Sequence, residues 1–455
     1  MQESCGVIGV RLNDKKENAL SKVYYGLYAM QHRGQESCGV AIFDGKEIKL
    51  HKDMGLVSEV FRDLKLEGFA AIGHVRYSTK GESQLINAQP ILIDYSYGSF
   101  AIAHNGQIVN YKELKAELSR KGCVFTTTTD SEIIAQVIVQ EHIKSGDFIL
   151  GIKRAMRKIK GSYSLTILKD DKIIAIRDPN GFRPLVLGKR GSNYIVASES
   201  CAIECVNFKV VRDVKPGEIL IISESIRSEA VPSERKSICM FEYVYFSRPD
   251  SVIDGIPVYQ VRKKLGELLY KEAPIKADLV TAVPDSGITA ALGFSRASGI
   301  PYGESLIKNR YLGRTFIMPN QKDREEGVKI KLMPLKSEIK DKVIVLVDDS
   351  IVRGTTIKRI ISNLKEAGAK EVHVRISCPP IRYPCYYGID MQTREEFIAR
   401  NKTVEEIKEE IGADSLAYIS LDGLIKAIGL PREKLCLACL TGEYPVKPEQ
   451  MKLTN

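Results

Sequence analysis

One stretch near residue 350 limits the fold of this chain more than any other. Residues 343–347 are five apolar residues in a row, which is typical of a strand buried on both faces of a parallel sheet. Asp348 and Asp349 follow directly, at the end of the strand where open α/β sheets bind ligands. Residues 350–356 contain a glycine and lead into a helical pattern. The sequence therefore predicts an α/β domain with a parallel sheet and a binding corner at residues 348–356.

The chemistry of this corner suits a sugar phosphate. A helix that begins after the turn presents free backbone N–H groups and its positive dipole end to a phosphate. The two carboxylates can accept hydrogen bonds from ribose hydroxyls. The alternative is an acidic corner of some other doubly wound fold. The stretch resembles the binding loop of the phosphoribosyltransferases, which hold 5-phosphoribosyl diphosphate (PRPP). The resemblance implies PRPP contacts from Asp348, Asp349, Ser350, Arg353, Gly354, Thr355 and Thr356.

Two more stretches of the second half fit the same resemblance. The turn at 284–287 follows a short apolar run and is either an ordinary βα turn or a second phosphate corner. In the phosphoribosyltransferases the equivalent turn meets the diphosphate, which implies that Ser286 joins Asp348 and Asp349 around Mg²⁺. Residues 308–331 carry seven basic residues without a clear period. They are either an exposed surface loop or a lid over PRPP, with phosphate contacts from Lys308, Arg314 or Lys329.

Composition sets the broad class of the protein. A chain of 455 residues is long enough for two or three domains. The formal charge of +10 is spread among acidic residues, which favours anionic small substrates over nucleic acid. No apolar run approaches the length of a membrane span, and the N-terminus lacks the pattern of a signal peptide. Ten cysteines in such a chain predict reduced thiols in the cytoplasm.

Cys5 is a candidate nucleophile because of its position. If residues 1–4 were removed, its α-amine, with an ordinary pKa of about 8, could act as the base for its own thiol. The alternative is an inert cysteine in a buried strand. Strands and intervening helical patterns over residues 6–222 predict a layered α+β domain around it.

Three further polar motifs in the first half complement Cys5. Arg76 ends a strand and suits a bidentate grip on a carboxylate. Asn105 and Gly106 offer an amide and a backbone N–H that together could form an oxyanion hole. Asp130 opens a helix, either as a plain N-cap or as a partner for an ammonium group.

These motifs, together with residues 31–35 (QHRGQ) and 74–79 (HVRYST), resemble the glutamine amidotransferases that have an N-terminal nucleophile. The resemblance implies an αββα sandwich in which Cys5 attacks the glutamine amide and Asn105 with Gly106 stabilises the oxyanion. It also implies that residues 1–4 are a propeptide. The implied glutamine-binding residues are Arg76 for the α-carboxylate, Asp130 for the α-ammonium, and Arg33 and Tyr77 in the surrounding loops.

Four cysteines form a candidate metal site. Cys436 and Cys439 make a CxxC motif, and Cys239 and Cys385 supply two more thiols from distant positions. By itself the CxxC fits zinc, a redox pair or chance, and four thiolates fit either Zn²⁺ or a [4Fe–4S] cluster. The spacing does not decide between them.

Taken together, the two halves resemble the amidophosphoribosyltransferases over nearly the whole chain. The polar stretch at 223–236 predicts the domain boundary, with a glutaminase domain at 5–232 and a phosphoribosyltransferase domain at 233–455. The reaction would convert PRPP, glutamine and water to 5-phosphoribosylamine, glutamate and diphosphate, the first step of purine synthesis. One branch of the family has a cleaved propeptide and a [4Fe–4S] cluster, which would be held here by Cys239, Cys385, Cys436 and Cys439. The family also implies a homotetramer inhibited by purine nucleotides.

Two other functions compete with this interpretation. Glucosamine-6-phosphate synthase shares the type of glutaminase, but its second half binds a ketose phosphate and does not require the 343–356 stretch. A regulator that senses PRPP without catalysis would use that stretch but would not require Cys5 or Asn105.

Overall fold

The computed structural model describes residues 5–14, 17–77, 83–233, 235–309, 332–391 and 397–448. The predicted lid, with Arg314 and Lys329, lies outside these residues except for Lys308 and Asn309, and so do residues 1–4. The strands described in the first half are β1 (Gly6–Arg11), β2 (Ser37–Phe43), β3 (Ile48–Met54), β4 (Ala70–Arg76), β5 (Ile91–Tyr95), β6 (Gly98–Ile108), β7 (Gly161–Lys169), β8 (Lys172–Arg177), β9 (Val186–Arg190), β10 (Asn193–Ala197), β11 (Lys209–Asp213), β12 (Glu218–Ile222) and β13 (Ile226–Ala230).

These strands form two antiparallel sheets that pack face to face. One sheet has the order β11-β9-β10-β1-β4-β2-β3 and the other has β13-β12-β8-β7-β6-β5. The inner faces of the two sheets pack against each other: a Cβ on Gly9 of β1 would lie 2.7 Å from a side-chain carbon of Ile173 on β8, whereas Ile8 on the opposite face of β1 packs toward Gly26 of the covering helix. Such alternation is expected where each strand has one face toward a partner sheet. The predicted α+β sandwich is confirmed.

Helices cover the outer faces of both sheets. Helix α1 (Ala19–Ala29) packs on β1 and β4, while α4 (Asp130–Ser145) and α5 (Phe148–Lys158) pack against each other and α4 covers β5 and β6. Asn18 caps α1 by accepting from the Leu20 N–H at 3.0 Å, as asparagine commonly does at this position. The helices of this half are α1 (Ala19–Ala29), α2 (Val57–Val60), α3 (Tyr111–Arg120), α4 (Asp130–Ser145), α5 (Phe148–Lys158) and α6 (Ser200–Glu204).

The second half is built on a parallel sheet, as predicted. Its described strands β17, β20, β21 and β22 lie in that order and are all parallel. The strands of this half are β14 (Ile238–Cys239), β15 (Val252–Ile253), β16 (Ile256–Pro257), β17 (Leu279–Ala282), β18 (Leu306–Lys308), β19 (Leu332–Pro334), β20 (Val343–Asp348), β21 (Glu371–Ile376), β22 (Ser415–Tyr418) and β23 (Leu435–Cys436).

The helices Ile288–Ser298 and Thr355–Glu366 pack on strands of this sheet. The first of these, α8, and helix α7 (Val258–Glu272) approach very closely, since a Cβ on Gly266 would lie 1.8 Å from the Ala290 carbonyl oxygen. The helix predicted after the binding corner is α10, whose buried face carries Ile357, Ile360, Ile361 and Leu364. The helices are α7 (Val258–Glu272), α8 (Ile288–Ser298), α9 (Lys336–Ile339), α10 (Thr355–Glu366), α11 (Val404–Ile411), α12 (Leu421–Ile428) and α13 (Ala438–Thr441), with a π-helical turn at Glu242–Phe246.

Buried ion pairs join the two halves. Glu242 of the second half is fully buried and accepts from Arg33 of the first half at 2.8 Å and from Arg183 at 3.0 Å. Arg177 likewise pairs with Asp254 at 2.9 Å. Removing one member of such a pair would leave an uncompensated buried charge, which costs about 3–5 kcal/mol. The interface is therefore specific in its geometry. No helix of the described segments is long and apolar enough to cross a bilayer.

Candidate functional site

Cys5 lies at the entrance to β1, a central strand of the first sheet. Its Sγ is 3.5 Å from the carbonyl oxygen of Tyr77. Part of the residue remains exposed, but the thiol itself is surrounded by protein, and this burial raises its pKa. The positive charge of nearby Arg76 partly offsets this effect and lowers the pKa of the thiol. A thiol in this state is protonated at neutral pH, so it needs a base before it can act as a nucleophile.

Arg76 ends β4, directly beside the start of β1. Because Gly6 pairs with Val75, the register places Arg76 next to Cys5. The arginine is buried and forms an ion pair with Glu36, a residue that the sequence analysis did not single out. Glu36 also acts electrostatically on Cys5. The pair fixes a guanidinium group next to the thiol.

Asp130 is the first residue of α4, and Thr129 occupies the N-cap position. The plain N-cap alternative for Asp130 is therefore wrong. Its Oδ2 accepts from the Ile108 N–H at 2.9 Å, and its Oδ1 lies 3.8 Å from Nδ1 of His104. The negative charge of Asp130 contributes to the raised pKa of the Cys5 thiol. A buried carboxylate is thus held on the same side of the sandwich as the nucleophile.

Asn105 and Gly106 lie between His104 and Ile108 on β6, and Asp130 contacts the residues on both sides of them. Gly106 has a φ of +141°. A Cβ at this position would lie 2.3 Å from the Ser162 carbonyl oxygen, so only glycine fits there without displacing β7. The structure brings the Asn-Gly pair to the same end of the sandwich as Cys5, Arg76 and Asp130.

Arg33 contacts the backbone of Cys5. Its Nε donates to the Cys5 carbonyl oxygen at 3.1 Å, while its other nitrogens pair with Glu199 and Glu242. With all three nitrogens bonded in this way, we interpret Arg33 as a residue that positions Cys5 and not as a direct glutamine ligand. Tyr77 follows β4 and offers its carbonyl to the thiol, which places it at the edge of the site.

His74 gives this region a pH-dependent stability. It is fully buried, its Nε2 lies 3.0 Å from the His104 carbonyl oxygen, and burial lowers its pKa to about 3. Below about pH 6.5 the unfolded chain binds a proton that the folded chain excludes, so stability falls as the pH drops toward 3. We expect a loss of about 2 kcal/mol from this group between pH 7 and pH 5.

Urea unfolding at pH 7, 6 and 5 measures this effect. His74→Gln keeps an N–H donor but cannot be protonated, so its free energy of unfolding should decline less than that of the wild type over the same range. Equal declines in the two proteins would contradict a buried neutral histidine.

The acid pair lies where the sequence analysis predicted it, at the carboxyl end of β20. Asp348 and Asp349 are both buried, and the Asp349 N–H donates to Asp348 Oδ1 at 2.8 Å. Burial and the adjacent Asp349 charge raise the pKa of Asp348 well above its ordinary value. A cation or hydroxyl donors at this corner would relieve that cost. The corner therefore suits a ligand that brings such groups.

The following turn leads into the N-terminus of α10. Gly354 is the N-cap residue with a φ of +78°, a conformation that favours glycine. Arg353, Thr355 and Thr356 are exposed around it. The turn thus combines free backbone N–H groups, two hydroxyls and a guanidinium group, which are suitable donors for a phosphate.

The second turn meets the first at the same sheet edge. Val283 N–H donates to the Val347 carbonyl oxygen at 2.9 Å, and a Cβ on Gly287 would lie 2.6 Å from that oxygen. Ser286 is half-buried in this turn. Lys308, at the end of β18, forms an ion pair with Asp285 of the turn. The structure therefore brings Ser286 and Lys308 to the edge that carries Asp348 and Asp349.

The four cysteines from distant positions line one cavity. A short parallel ladder between β14 and β23 places Cys239 beside Cys436, and Cys385 and Cys439 complete the set. Phe182 and Arg183 of the first half form part of the wall. Burial raises the pKa of Cys239 to about 12. As the side chains stand, the described residues contain no group of three or more His, Cys, Asp or Glu that is arranged to hold a metal ion.

Comparisons with known proteins agree with both halves of this geometry. A glutamine amidotransferase domain model matches residues 74–205, and a phosphoribosyl transferase domain model matches residues 257–390. The amidophosphoribosyltransferase of Methanocaldococcus jannaschii is 52% identical over 97% of this chain and 98% of its own length. That of Bacillus subtilis is 48% identical over 98% of this chain and 95% of its own length. The chain belongs to the amidophosphoribosyltransferase family.

A solved structure extends this likeness to three dimensions. Glutamine PRPP amidotransferase from Bacillus subtilis, in a complex with ADP and GMP, superposes with a TM-score of 0.91 at 48% identity and covers 98% of each chain. Family membership assigns glutamine-dependent amidotransfer to PRPP in purine biosynthesis. It excludes the ketose-phosphate synthase because the second half is a phosphoribosyl transferase domain. It also excludes a non-catalytic PRPP sensor, since the relatives are enzymes.

Several residues that hold this amidophosphoribosyltransferase site together are not predicted from the sequence. Glu36 pairs with Arg76, Glu199 and Glu242 pair with Arg33, and Arg183 links Glu242 to the cysteine cavity. Glu36 falls within the polar loop after QHRGQ, which was a usable signal. The others come from separate segments without a local motif, so only the tertiary structure identifies them.

Proposed function

We propose that glutamine is hydrolysed at Cys5 and that the ammonia released there reacts at the PRPP corner of the second half. The observation that carries this proposal is the presence, in one chain, of a thiol beside Arg76 and Asp130 and of an acid pair beside a phosphate-type turn. Neither arrangement alone would combine glutamine with PRPP.

At the first site, Cys5 Sγ attacks the glutamine amide carbon and forms a thioester with release of ammonia, and water then frees glutamate. Asn105 and Gly106 hold the oxyanion. Arg76 binds the α-carboxylate of glutamine, and Asp130 binds its α-ammonium group. The raised pKa of the Cys5 thiol makes a nearby base necessary, and the free α-amine produced by removal of residues 1–4 would supply it.

At the second site, ammonia attacks C1 of PRPP and diphosphate leaves. Asp348 and Asp349 face the ribose hydroxyls, and Ser350, Arg353, Gly354, Thr355 and Thr356 hold the 5-phosphate. Lys329 of the 308–331 lid would contact PRPP from outside the described residues. The buried acid pair and Ser286 suit Mg²⁺, which would neutralise and orient the leaving diphosphate when bound.

The donor set of the cysteine cavity suits a thiolate-bound metal centre. Cys239, Cys385, Cys436 and Cys439 would hold a [4Fe–4S] cluster, and the buried guanidinium of Arg183 next to them would balance its negative charge. Such a centre would have a structural role, because its ligands come from three separate segments of the second half and the cavity wall includes residues of the first half.

Anaerobic purification followed by intact mass and metal analysis tests the processing and the cluster together. We expect a mass lower by residues 1–4, and about four irons with matching sulfide per chain for a [4Fe–4S] centre. Bound zinc, or an N-terminus that begins at Met1 in a fully active enzyme, would contradict these assignments.

The cellular setting follows the family. We propose a cytoplasmic homotetramer that is inhibited by purine nucleotides. Its partners are small molecules and not nucleic acid or membrane. Analytical ultracentrifugation with and without GMP and ADP tests the assembly, and a monomer under all conditions would refute it.

Transfer of ammonia between the sites needs protection from water, because ammonia is mostly protonated at neutral pH and then not nucleophilic. We propose a closed, partly apolar passage that forms when the 308–331 lid closes over PRPP. Measuring free ammonia in bulk during turnover tests the passage, since quantitative escape would rule it out. The function itself is tested by diphosphate release from PRPP with glutamine as the nitrogen donor.

A further inference from the structure

A loop of the second half reaches the oxyanion-hole glycine of the first half. Gly388 has a φ of +95°. A Cβ on Gly388 would lie 2.8 Å from the carbonyl carbon of Gly106, 3.0 Å from its oxygen and 3.1 Å from its Cα. All three atoms are backbone, so neither side can yield by rotating a side chain. The two glycine backbones are therefore in direct contact across the interface between the halves.

Gly106 is fixed from two directions by this contact. On one side the Ser162 carbonyl oxygen would be 2.3 Å from any Cβ at position 106, and on the other side stands Gly388. Backbone of β7 and of the 385–388 segment therefore occupies the space on both sides of Gly106, and a displacement of that segment would be transmitted to the Gly106 backbone. An oxyanion hole requires its donors within a few tenths of an ångström of the developing charge, so this confinement bears directly on the glutaminase chemistry.

The 385–388 segment is itself anchored at several points. The ring of Tyr387 stacks on Phe182 with centroids 4.3 Å apart, and its hydroxyl donates to the Val446 carbonyl oxygen at 2.6 Å. Its carbonyl accepts from Arg183 at 3.1 Å. Three residues before Gly388, Cys385 lines the cysteine cavity. The same short segment thus connects the cysteine cavity with the glutaminase site.

We propose that residues 385–388 are a positioning element for the oxyanion hole, which makes glutamine hydrolysis depend on the fold around the four cysteines. This rests on the proposed roles of Asn105 and Gly106. It separates the two half-reactions: displacement of the segment impairs ammonia release from glutamine, while the PRPP corner at β20 and α10 still accepts ammonia supplied from solution.

Gly388→Ala tests the proposal in the complete, anaerobically purified enzyme. Its added methyl group meets the Gly106 backbone. Gly122→Ala is the matched control, because Gly122 has a φ of +85° and nothing lies within 4 Å of its added Cβ. We expect Gly388→Ala to lose about 100-fold in glutamine-dependent diphosphate release. Ammonia-dependent release and the rate of Cys5 alkylation by iodoacetamide should stay within about threefold of Gly122→Ala, as neither reaction uses the oxyanion hole.

A gentler variant covers the case in which Gly388→Ala does not fold. Tyr387→Phe removes only the hydroxyl that bonds Val446, and it should lower glutamine-dependent release several-fold without changing the ammonia-dependent rate or the iron content. If the folded variants change glutamine-dependent and ammonia-dependent release by the same factor relative to Gly122→Ala, the proposal is wrong. If the wild type itself does not use glutamine, the proposed function fails, whatever the variants do.

Discussion

Cys5→Ala will lose glutamine-dependent phosphoribosylamine formation and keep the ammonia-dependent reaction. The Cys5 thiol lies 3.5 Å from the carbonyl oxygen of Tyr77. The charges of Arg76, Glu36 and Asp130 interact with it electrostatically. No covalent thioester can form without this sulfur, and loss of a nucleophile typically lowers kcat by at least about 10⁴-fold. The PRPP corner lies in the other half of the chain, so ammonia added to the medium should still react there at close to the wild-type rate.

The measurement is diphosphate release from PRPP with glutamine or with an ammonium salt at alkaline pH. Cys205→Ala serves as the control, because Cys205 is an exposed thiol of the same half with no place in the proposed site. The control should keep both activities within about twofold, as surface substitutions away from a site usually do. Glutamine-dependent turnover by Cys5→Ala at a level near that of Cys205→Ala would mean that another group is the nucleophile.

The parts of this fold that could be predicted are those with a strong local pattern. β20, the acid pair and α10 follow from an uninterrupted apolar run, two carboxylates and a helical period. The glutaminase motifs are recognisable only through family resemblance, because each of them is short and chemically ambiguous by itself. The structure then supplied what resemblance alone could not, namely the burial of Asp348 and the contact of Arg33 with the Cys5 carbonyl.

The parts that the sequence did not reveal depend on long-range contacts. β11 and β13 are edge strands with largely exposed side chains, so their sequences lack the alternation that identifies a half-buried strand. β13 also falls inside the polar stretch at 223–236 that predicts the domain boundary, and it is a strand because it pairs with β12. Arg33 and Glu242 are 209 residues apart in the sequence. A local sequence pattern cannot predict a contact between residues so far apart. The division at residue 232 stays a prediction.

These long-range contacts have a chemical meaning. Glu242 binds Arg33, which holds the Cys5 carbonyl, and also Arg183, which lines the cysteine cavity. Arg262 is buried and donates hydrogen bonds to the carbonyl oxygens of Tyr243 and Ser247. The negative charges of Asp349, at the acid pair, and Glu199, which binds Arg33, both interact with its guanidinium group. Charged residues buried this deeply are costly unless their geometry is fixed. The interface therefore sets the relative position of the two halves, which the proposed transfer of ammonia requires.

Asp348→Asn will lower diphosphate release by at least about 10³-fold with either nitrogen donor, since the proposed role of this carboxylate is to bind PRPP and Mg²⁺ and not glutamine. The folded protein should tolerate the change. Burial and Asp349 already raise the pKa of Asp348, which means that the ionised carboxylate is unfavourable there without a ligand. A neutral amide of the same shape removes that cost, so the ligand-free variant should be at least as stable as the wild type at pH 7. Differential scanning calorimetry and the diphosphate assay measure the two effects separately.

Asp341→Asn is the matched control at the opposite end of the same strand. Asp341 is exposed and has a φ of +61°, which asparagine tolerates as well as aspartate, so activity and stability should both stay near wild type. If Asp348→Asn instead loses stability together with activity, the carboxylate serves the fold. If it keeps both, PRPP is bound elsewhere. Only loss of activity in a stable protein agrees with an acid pair whose role is to bind a sugar phosphate and its cation.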